Sequence, residues 1–414
     1  MRRQVVVTGT GLICPLGDTP ATLHRALCEG RRPFGPPAVF TAEGLDGRVV
    51  AEVRDFEPVR YLGPRNLRPL DRTGRLAAVA AGAALESSGW TIERREATEA
   101  GLVLGTMFGS LRTIGEFDRR ALRDGPEYVS PLDFANTVIN AAAGQVAIWH
   151  RLRGPNSTIA AGASSGLQAV GYAAQLVRLG RASALLAGGA EEVCYETFLG
   201  CLRAGLLADS GEPLALPRPF HAAGSGWVLG EGAGFMMIED EDHARARGAA
   251  VLAVIEGFGS AFDGRARGVG AAGEDGLRSA IDAALAEAGV PASALGFISA
   301  SGSGHRTLDA VEADTLATLT RGSGPSIPVT AIKACTGEAL GATGALQAIA
   351  AIEALRAGQV PGVPGVDALT DPRINLVPGG PPRPNAGSRA LLTSLAPEGN
   401  CCALVLSVPP TATS

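Results

Sequence analysis

Short apolar runs alternate with longer segments of helical periodicity along the first half of the chain. The runs are rich in valine, leucine and alanine and are bounded by glycine or polar residues, which is typical of buried strands. They predict strands at residues 4–8, 101–105, 182–188 and 233–239. Two of the segments with helical periodicity are residues 76–88 and 166–179. This alternation of strands and helices predicts an α/β fold.

A second series of the same kind follows. It predicts strands at residues 251–257, 296–300 and 402–408 and helices at residues 276–288 and 336–357. Each series closes with a strongly apolar strand, so we expect two related halves, residues 1–245 and 246–414, packed into one body. Their strands are expected to be parallel and covered by helices on both faces. Residues 358–387 are rich in proline and glycine and predict an extended surface loop.

Composition and charge narrow the classes of function. The chain has 36 basic and 41 acidic residues, a net charge of −5, and only 12 Phe, 4 Tyr and 3 Trp. These numbers argue against a nucleic-acid partner, which needs a basic surface or stacking aromatics. The apolar run near the N-terminus is only three valines long, too short for a signal sequence or a membrane span. We therefore expect a cytoplasmic location and no membrane contact.

No metal or cofactor site is predicted. The seven cysteines are odd in number and contain no C-x-x-C pair, and the five histidines are far apart, so neither a disulfide framework nor a zinc site is expected. Glycine clusters at residues 8–17 and 224–234 lack the spacing of nucleotide-binding loops. We interpret both clusters as tight turns.

Residues 159–169, IAAGASSGLQA, have the pattern of a strand, a turn and a helix, which is where many enzymes place a nucleophile. The stretch 162–166 satisfies G-x-S-x-G, so one hypothesis is a serine acyl-hydrolase that uses Ser164. Such an enzyme needs a histidine base and an acid to orient it. Of the later histidines, His243 lies in a charged segment and His221 in a loop, which leaves His305.

Three further segments carry a family resemblance. They are RPF at 218–220 followed by GSGWVLGEGAG, then ASGSGHRTLDAVEA at 300–313, then TAIKACTGEALGATG at 330–344. Together with the opening VVVTGTGLICPLG, LRGPN at 152–156 and GN at 399–400, they resemble the β-ketoacyl synthases of the thiolase superfamily over nearly the whole chain. The resemblance implies a thiolase-like fold, with two βαβαβαββ halves in a five-layered αβαβα body, and an obligate dimer.

The chain departs from the family at its catalytic positions. Active members have a cysteine and two histidines where this sequence has Ala163, Ser301 and Glu338, and only the family lysine, Lys333, is kept. An alanine methyl group cannot attack a thioester, and a carboxylate would oppose a developing enolate. Residues 394–400, SLAPEGN, also replace the family's G-F-G-G loop. We therefore expect no catalytic residue and no condensation by the chain on its own.

The family contains members of this kind: the chain length factors, or ketosynthase β-subunits, of type II polyketide synthases. The resemblance implies a heterodimer with a ketosynthase α-subunit, contact with acyl carrier protein through the complex, and a growing polyketide in a tunnel at the interface. Many aromatic-polyketide members carry glutamine at the elbow, whereas this chain has Ala163, so a reducing, polyene-type system is an equal alternative. A scaffold without a tunnel role and a relocated nucleophile at Cys335 are further alternatives.

The family pattern also suggests where a tunnel gate would lie. Residues 106–117, TMFGSLRTIGEF, follow the strand at 101–105 and line the acyl pocket in relatives. A phenylalanine is large enough to plug a channel one acyl chain wide. Asp133 corresponds to the segment that reaches into the partner subunit; a plain surface charge is the alternative. The gate candidates are Met107, Phe108, Leu111, Ile114, Phe117 and Asp133; ordinary core packing is the alternative for the two phenylalanines.

Overall fold

The computed structural model describes residues 3–41, 48–97, 100–208, 216–264, 274–320, 327–385 and 387–409. Its first half alternates strands with helices. The strands are β1 (Val5–Ile13), β2 (Gly101–Gly105), β3 (Asn156–Ile159), β4 (Ala184–Glu191) and β5 (Gly232–Asp240). The helices are α1 (Pro20–Cys28), α2 (Pro58–Leu62), α3 (Arg72–Ser87), α4 (Ile92–Ala97), α5 (Leu111–Asp124), α6 (Pro131–Phe134), α7 (Ala141–His150), α8 (Ser165–Arg178), α9 (Tyr195–Arg203) and α10 (Glu241–Ala246).

The second half repeats this alternation with shorter strands. Its strands are β6 (Ala253–Phe262), β7 (Phe297–Ser299), β8 (Pro328–Thr330), β9 (Gln359–Val360), β10 (Asn375–Leu376), β11 (Arg383–Pro384), β12 (Arg389–Leu395) and β13 (Asn400–Ser407). Its helices are α11 (Glu274–Ala288), α12 (Arg306–Thr320), α13 (Lys333–Thr336) and α14 (Thr343–Ala357). No helix among these elements is long and apolar enough to cross a bilayer.

Eleven of the described strands form one mixed sheet in the order β10-β8-β7-β12-β13-β6-β1-β5-β4-β2-β3. The halves meet where β1 and β6 pair antiparallel. Outward from this seam, both halves have two antiparallel pairings followed by parallel ones. The expectation of parallel strands was therefore wrong for the strands nearest the seam. A strand buried on both faces is apolar whichever way it runs, so its composition does not encode its direction.

Alternate residues of the central strands pack against different helices. Leu186 in β4 contacts the apolar core under α3 and α7, whereas Leu185 belongs to the core around α8 and α14. In the second half, Leu392 of β12 joins the same central core, whereas Leu391 packs with α11 and α12. The order of layers is thus α3 and α7, the strands of the first half, α8 and α14, the strands of the second half, and α11 and α12; the two strand layers are continuous at the β1–β6 seam. The five-layered αβαβα arrangement follows from strands that are apolar on both faces.

The two helices of the middle layer touch backbone to backbone. A methyl group on Gly166 at the start of α8 would overlap the carbonyl of Gly341, and one on Gly344 in α14 would overlap the backbone of Leu167. Glycine is needed at both positions because no side chain fits between the helices. This contact fixes the start of α8 relative to the start of α14.

Two predicted turns and one predicted helix boundary were wrong. Residues 8–11 continue β1, because Gly9 and Gly11 let α3 pack directly on the strand, and residues 232–234 of the second glycine cluster begin β5. The helix expected at 336–357 starts only at Thr343, because Gly337 and Leu340 have positive φ angles and interrupt it. The loop expected at 358–387 contains the short strands β9, β10 and β11; residue 386 lies outside the described residues.

The glycine contact between α8 and α14 gives a stability prediction. Gly344→Ala is expected to lower the free energy of unfolding by about 1–3 kcal/mol, because the added methyl group overpacks a backbone contact. Urea unfolding of the purified protein measures this value. Gly144→Ala in α7, where nothing lies within 4 Å of the added methyl group, is the control and should be neutral or stabilising. Equal stability of the two variants would contradict the tight contact.

Candidate functional site

The strand, turn and helix predicted around residue 163 are present. Strand β3 ends at Ile159, Gly162 turns the chain with a φ of 60°, and α8 begins at Ser165. Ala163 occupies the apex of this elbow and is 3% exposed. Its methyl group belongs to a buried apolar cluster that includes Phe198 and Leu340. The elbow therefore presents an apolar methyl group at the position where the family resemblance predicts a nucleophile.

Ser164 is fully buried beneath the elbow. Its hydroxyl donates to the Asn400 carbonyl at 3.2 Å and lies 3.1 Å from the Ser394 hydroxyl. Neither partner is a base that could take the serine proton at neutral pH. These contacts describe a structural serine and weigh against the hydrolase hypothesis.

The histidines that follow the elbow have other partners. His221 Nε2 lies 2.9 Å from Asp367 Oδ1, and His243 Nδ1 lies 2.8 Å from a carboxylate oxygen of the buried Glu239. The amide of His305 donates to a serine hydroxyl within its own loop. Among the described residues, no imidazole is hydrogen-bonded to the elbow serine, so the three side chains of a hydrolase triad are not assembled here.

Lys333, Ser301 and Glu338, the other three family positions, lie together and are nearly inaccessible. Lys333 Nζ donates to Ser301 Oγ at 3.1 Å and lies 2.6 Å from Glu338 Oε2. Glu338 Oε1 accepts hydrogen bonds from the Leu340 amide at 3.0 Å and the Thr343 hydroxyl at 2.7 Å. The lysine ammonium compensates the buried carboxylate, which would otherwise be costly.

Ser301 is held by a buried carboxylate behind it. The amides of Ser301 and Gly302 each donate to Glu312 at 2.8 Å, and the Thr393 hydroxyl donates to the same carboxylate at 2.6 Å. Burial raises the pKa of Glu312 to about 7, although these hydrogen bonds act in the opposite direction. The loop that carries Ser301 is thus fixed in place, with the serine hydroxyl facing Lys333.

Glu398 is a site residue that the sequence analysis missed. It lies in the SLAPEGN segment, and its carboxylate packs so closely on Gly162 that a methyl group there would overlap it. Burial raises the pKa of this carboxyl, and Glu338 raises it further. The segment noted only for its lost phenylalanine therefore covers the elbow with a carboxylate. In the sequence, the available signal for Glu398 was its place between a proline and a glycine in the segment that replaces the family's G-F-G-G loop.

Of the predicted gate residues, Met107 and Phe108 lie beside the elbow. Both side chains are half-buried and pack against the apolar cluster that contains Ala163. Phe198, also missed, is a fully buried aromatic of that cluster, and its ring lies 5.7 Å from the ring of Phe40. The apolar face of α9, with Phe198 three residues before Cys201, was the signal for it.

The remaining gate candidates lie on or near α5, a helix without a fully buried residue. Leu111 and Ile114 are half-buried on it. Phe117 and the exposed Asp133 line a separate polar cleft of about 370 Å³ rather than the elbow cluster. The structure thus brings two of the six candidates to the elbow, and a gate role for each of them stays a prediction.

Glu192 lies next to the arginines and acids of this cleft and has an unusual environment. It follows β4 directly, is 2% exposed, and has no hydrogen-bond partner for either carboxylate oxygen within the described part of the chain. Burial raises its pKa to about 8; Asp71 and Glu231 add to the shift, whereas Arg112 and Arg72 oppose it. Glu192 is therefore largely protonated near neutral pH.

Cys335 does not have the properties of a nucleophile. It is 1% exposed, and burial raises the pKa of its thiol to about 12. The thiolate, which is the reactive form, is therefore scarce at neutral pH. Among the described residues, no group of three or more His, Cys, Asp or Glu side chains could hold a metal ion.

Comparisons with known proteins agree on one family. Profiles of the N-terminal and C-terminal domains of β-ketoacyl synthases match residues 2–244 and 252–367. A 3-oxoacyl-(acyl-carrier-protein) synthase 2 from Vibrio harveyi is 33% identical over 348 residues, 82% of this chain and 83% of the relative.

Solved structures match over nearly the whole chain. The ishigamide ketosynthase/chain length factor superposes with a TM-score of 0.90 at 30% identity, covering 99% of this chain and all of that one. A β-ketoacyl synthase from Burkholderia phymatum gives a TM-score of 0.89 at 26% identity with the same coverage. These matches confirm the predicted thiolase-like fold.

The buried ion pair at the site gives a second stability prediction. Lys333→Met leaves Glu338 buried without a counter-ion and is expected to cost about 3–5 kcal/mol of unfolding free energy. The double variant Lys333→Met, Glu338→Gln removes the unpaired charge and keeps an acceptor oxygen for the Leu340 amide and the Thr343 hydroxyl, so it should recover part of this loss. Arg245→Met, which breaks an exposed ion pair with Glu241, is the control and should cost less than about 1 kcal/mol in urea unfolding. A loss as small as the control's for Lys333→Met would show that the pair is not isolated from water.

Glu192 gives a prediction about pH. Its folded pKa is raised, so between about pH 5 and 8 the folded chain holds a proton that the unfolded chain has released, and stability falls as pH rises. Glu192→Gln removes this proton. Plots of unfolding free energy against pH should be less steep for the variant, by up to about 1.4 kcal/mol per pH unit. Parallel plots for the two proteins would place the titration of Glu192 outside this range.

Proposed function

The chain belongs to the β-ketoacyl synthase family, and from this we propose that it is a catalytically silent member that pairs with an active ketosynthase. In the heterodimer, the partner supplies the cysteine and two histidines that form the carbon–carbon bond. This chain sets the length of the polyketide by shaping the acyl tunnel. The two proposed halves are the N-terminal ketosynthase domain, residues 1–245, and the C-terminal ketosynthase domain, residues 246–414. The partner ketosynthase would have the same two domains.

The observation that carries this proposal is the methyl group of Ala163 at the apex of the elbow. A thioester carbonyl needs a nucleophile at the N-terminus of α8, and a methyl group has none. The family lysine is present but is bound to Glu338 at 2.6 Å, which neutralises the charge it could offer to an enolate. Both features are expected of a subunit that keeps the ketosynthase fold but does not catalyse the condensation reaction.

Two comparisons support the proposed partners, which are acyl carrier protein and a ketosynthase α-subunit. The 33% identical relative is named for a reaction on acyl carrier protein, which supports carrier protein as the source of the acyl units. The solved structure at 30% identity is titled a ketosynthase/chain length factor, which supports a ketosynthase as the companion subunit. Relatives named as synthases differ from this proposal in activity, and the proposal depends on Ala163 at the elbow of this chain.

The surface beside the elbow supports a partner subunit. Strand β3 is at the edge of the sheet, so one side of its backbone has no neighbouring strand among the described residues. Helix α7 contacts β3, and large apolar side chains are exposed on α6, on the turn that follows it and on α7: Leu132, Phe134, Val138, Ile139 and Ile148. An open strand edge with exposed apolar side chains is typical of a protein interface.

The proposed gate adjoins this surface. Gly109, directly after Phe108, packs against the backbone of Ile139, one of the exposed apolar residues. A partner subunit that covers this surface would therefore lie next to Met107 and Phe108. This proximity supports a tunnel that passes between the two subunits.

Phe108→Ala in the heterodimer is expected to give longer products, because it opens a space of aromatic size at the gate. The experiment co-expresses the variant with the ketosynthase α-subunit and measures product length by mass spectrometry. Phe34→Ala, which alters a half-buried phenylalanine beside Arg32, is the control and should leave product length unchanged. Unchanged length for Phe108→Ala in an intact complex would remove Phe108 from the gate.

The proposed lack of condensation activity is tested on the isolated chain. Supplied with acyl and malonyl units on carrier protein, it should form no condensation product, because no residue at the elbow can hold the acyl group. Sustained turnover by the isolated chain would contradict the proposal, whatever the outcome for Phe108→Ala.

A further inference from the structure

We propose that Glu191 is the positioning residue of the gate: its carboxylate fixes the backbone of Met107 and Phe108 and so sets the chain length that the tunnel accepts. The inference rests on the proposed function and concerns the same site. Glu191 is the last residue of β4 and is 1% exposed.

The carboxylate binds three successive residues after β2. Glu191 Oε2 accepts a hydrogen bond from the Met107 amide at 2.6 Å, and Oε1 accepts one from the Phe108 amide at 3.1 Å. The Thr106 hydroxyl lies 3.2 Å from both oxygens. One buried side chain thus holds the segment that carries both gate side chains.

A fourth donor ties the gate to the turn that follows Glu338. The Gly341 amide donates to Glu191 Oε2 at 3.1 Å. Gly341 also lies against the backbone of Thr106 and Met107, where a methyl group would be within 3 Å of both. The position of the gate is therefore fixed relative to the start of α14. Because α14 packs on α8, it is also fixed relative to the elbow at the start of α8.

The arrangement requires a carboxylate. Its two oxygens receive three amide hydrogens and one hydroxyl, close to the four hydrogen bonds that a carboxylate can accept. A glutamine would keep one acceptor oxygen and turn its NH₂ group toward amide donors, which leaves buried N–H groups without partners. The gate would then lose its fixed position even though the side chain keeps its size.

The next residue provides a matched control. Glu192 is also a buried glutamate at the end of β4, but its carboxylate makes no hydrogen bond to the gate or to any other described residue. Glu191→Gln and Glu192→Gln thus make the same substitution, with the same change in side-chain size, at adjacent buried positions. Only the first change touches the gate.

The test uses the heterodimer and two measurements. In product analysis, Glu191→Gln should lengthen or broaden the products as Phe108→Ala does, whereas Glu192→Gln should not. Amide hydrogen exchange should speed up by about tenfold or more at residues 107, 108 and 341 in Glu191→Gln, as expected when a buried hydrogen bond is lost. The double variant Phe108→Ala, Glu191→Gln should add little to either single variant, because both act on one gate.

The outcomes separate the inference from the proposed function. If Phe108→Ala changes product length and Glu191→Gln in an intact heterodimer does not, the role of Glu191 is wrong and the gate stands. If neither changes product length in an active complex, the proposed function fails. If Glu191→Gln does not fold, Thr106→Val removes one donor to the same carboxylate and should shift product length in the same direction; an unchanged product would then overturn the inference.

Discussion

The arrangement of the site depends on the contact between α8 and α14. Both helices begin beside the elbow, and they approach so closely that Gly166 and Gly344 leave no room for a side chain. This contact sets the distance between Ala163, before α8, and Glu338, before α14. It also places Gly341 within reach of the Glu191 carboxylate, which binds the amides of Met107 and Phe108, the proposed gate. A shift of one helix would therefore move the elbow, the buried ion pair and the gate together.

Charged side chains surround the elbow. The N-terminus of α8 carries a partial positive charge, and the Glu398 carboxylate packs over the turn that precedes it. Across the site, Lys333 compensates Glu338 at 2.6 Å. Ser301 and Glu338, the two positions where the family resemblance predicts histidines, are thus both in contact with Lys333. The expectation that the Glu338 carboxylate would oppose a developing enolate did not take account of this contact.

The sequence was a good guide to buried strands and a poor one to what they pack against. Residues 101–105 were predicted to the residue, because a buried strand bounded by glycine and alanine leaves a clear pattern. Gly9 and Gly11 were interpreted as a turn, because glycine serves both turns and close helix packing, and only the packed structure distinguishes the two. Strand direction, and strand β12, were missed for the related reason that pairing is set by distant partners.

At the site, the family resemblance located Ala163, Ser301, Lys333 and Glu338, and the structure brings the last three into direct contact. It could not give the contacts of Glu191, because those amides come from two parts of the chain, residues 107–108 and residue 341, that are both distant from Glu191 in sequence. It also grouped Phe117 and Asp133 with Phe108 as gate candidates, and the structure shows that Phe117 and Asp133 line a separate polar cleft. The sequence thus located site residues that belong to a fixed motif more readily than residues whose position depends on how α5 packs.

The open edge of β3 has a consequence for the cell that makes this protein. A strand with one free side, flanked by exposed apolar side chains, can pair with any similar edge it meets. Copies whose β3 edge is left uncovered would be exposed to self-association. A second chain that covers this edge soon after translation would remove that hazard.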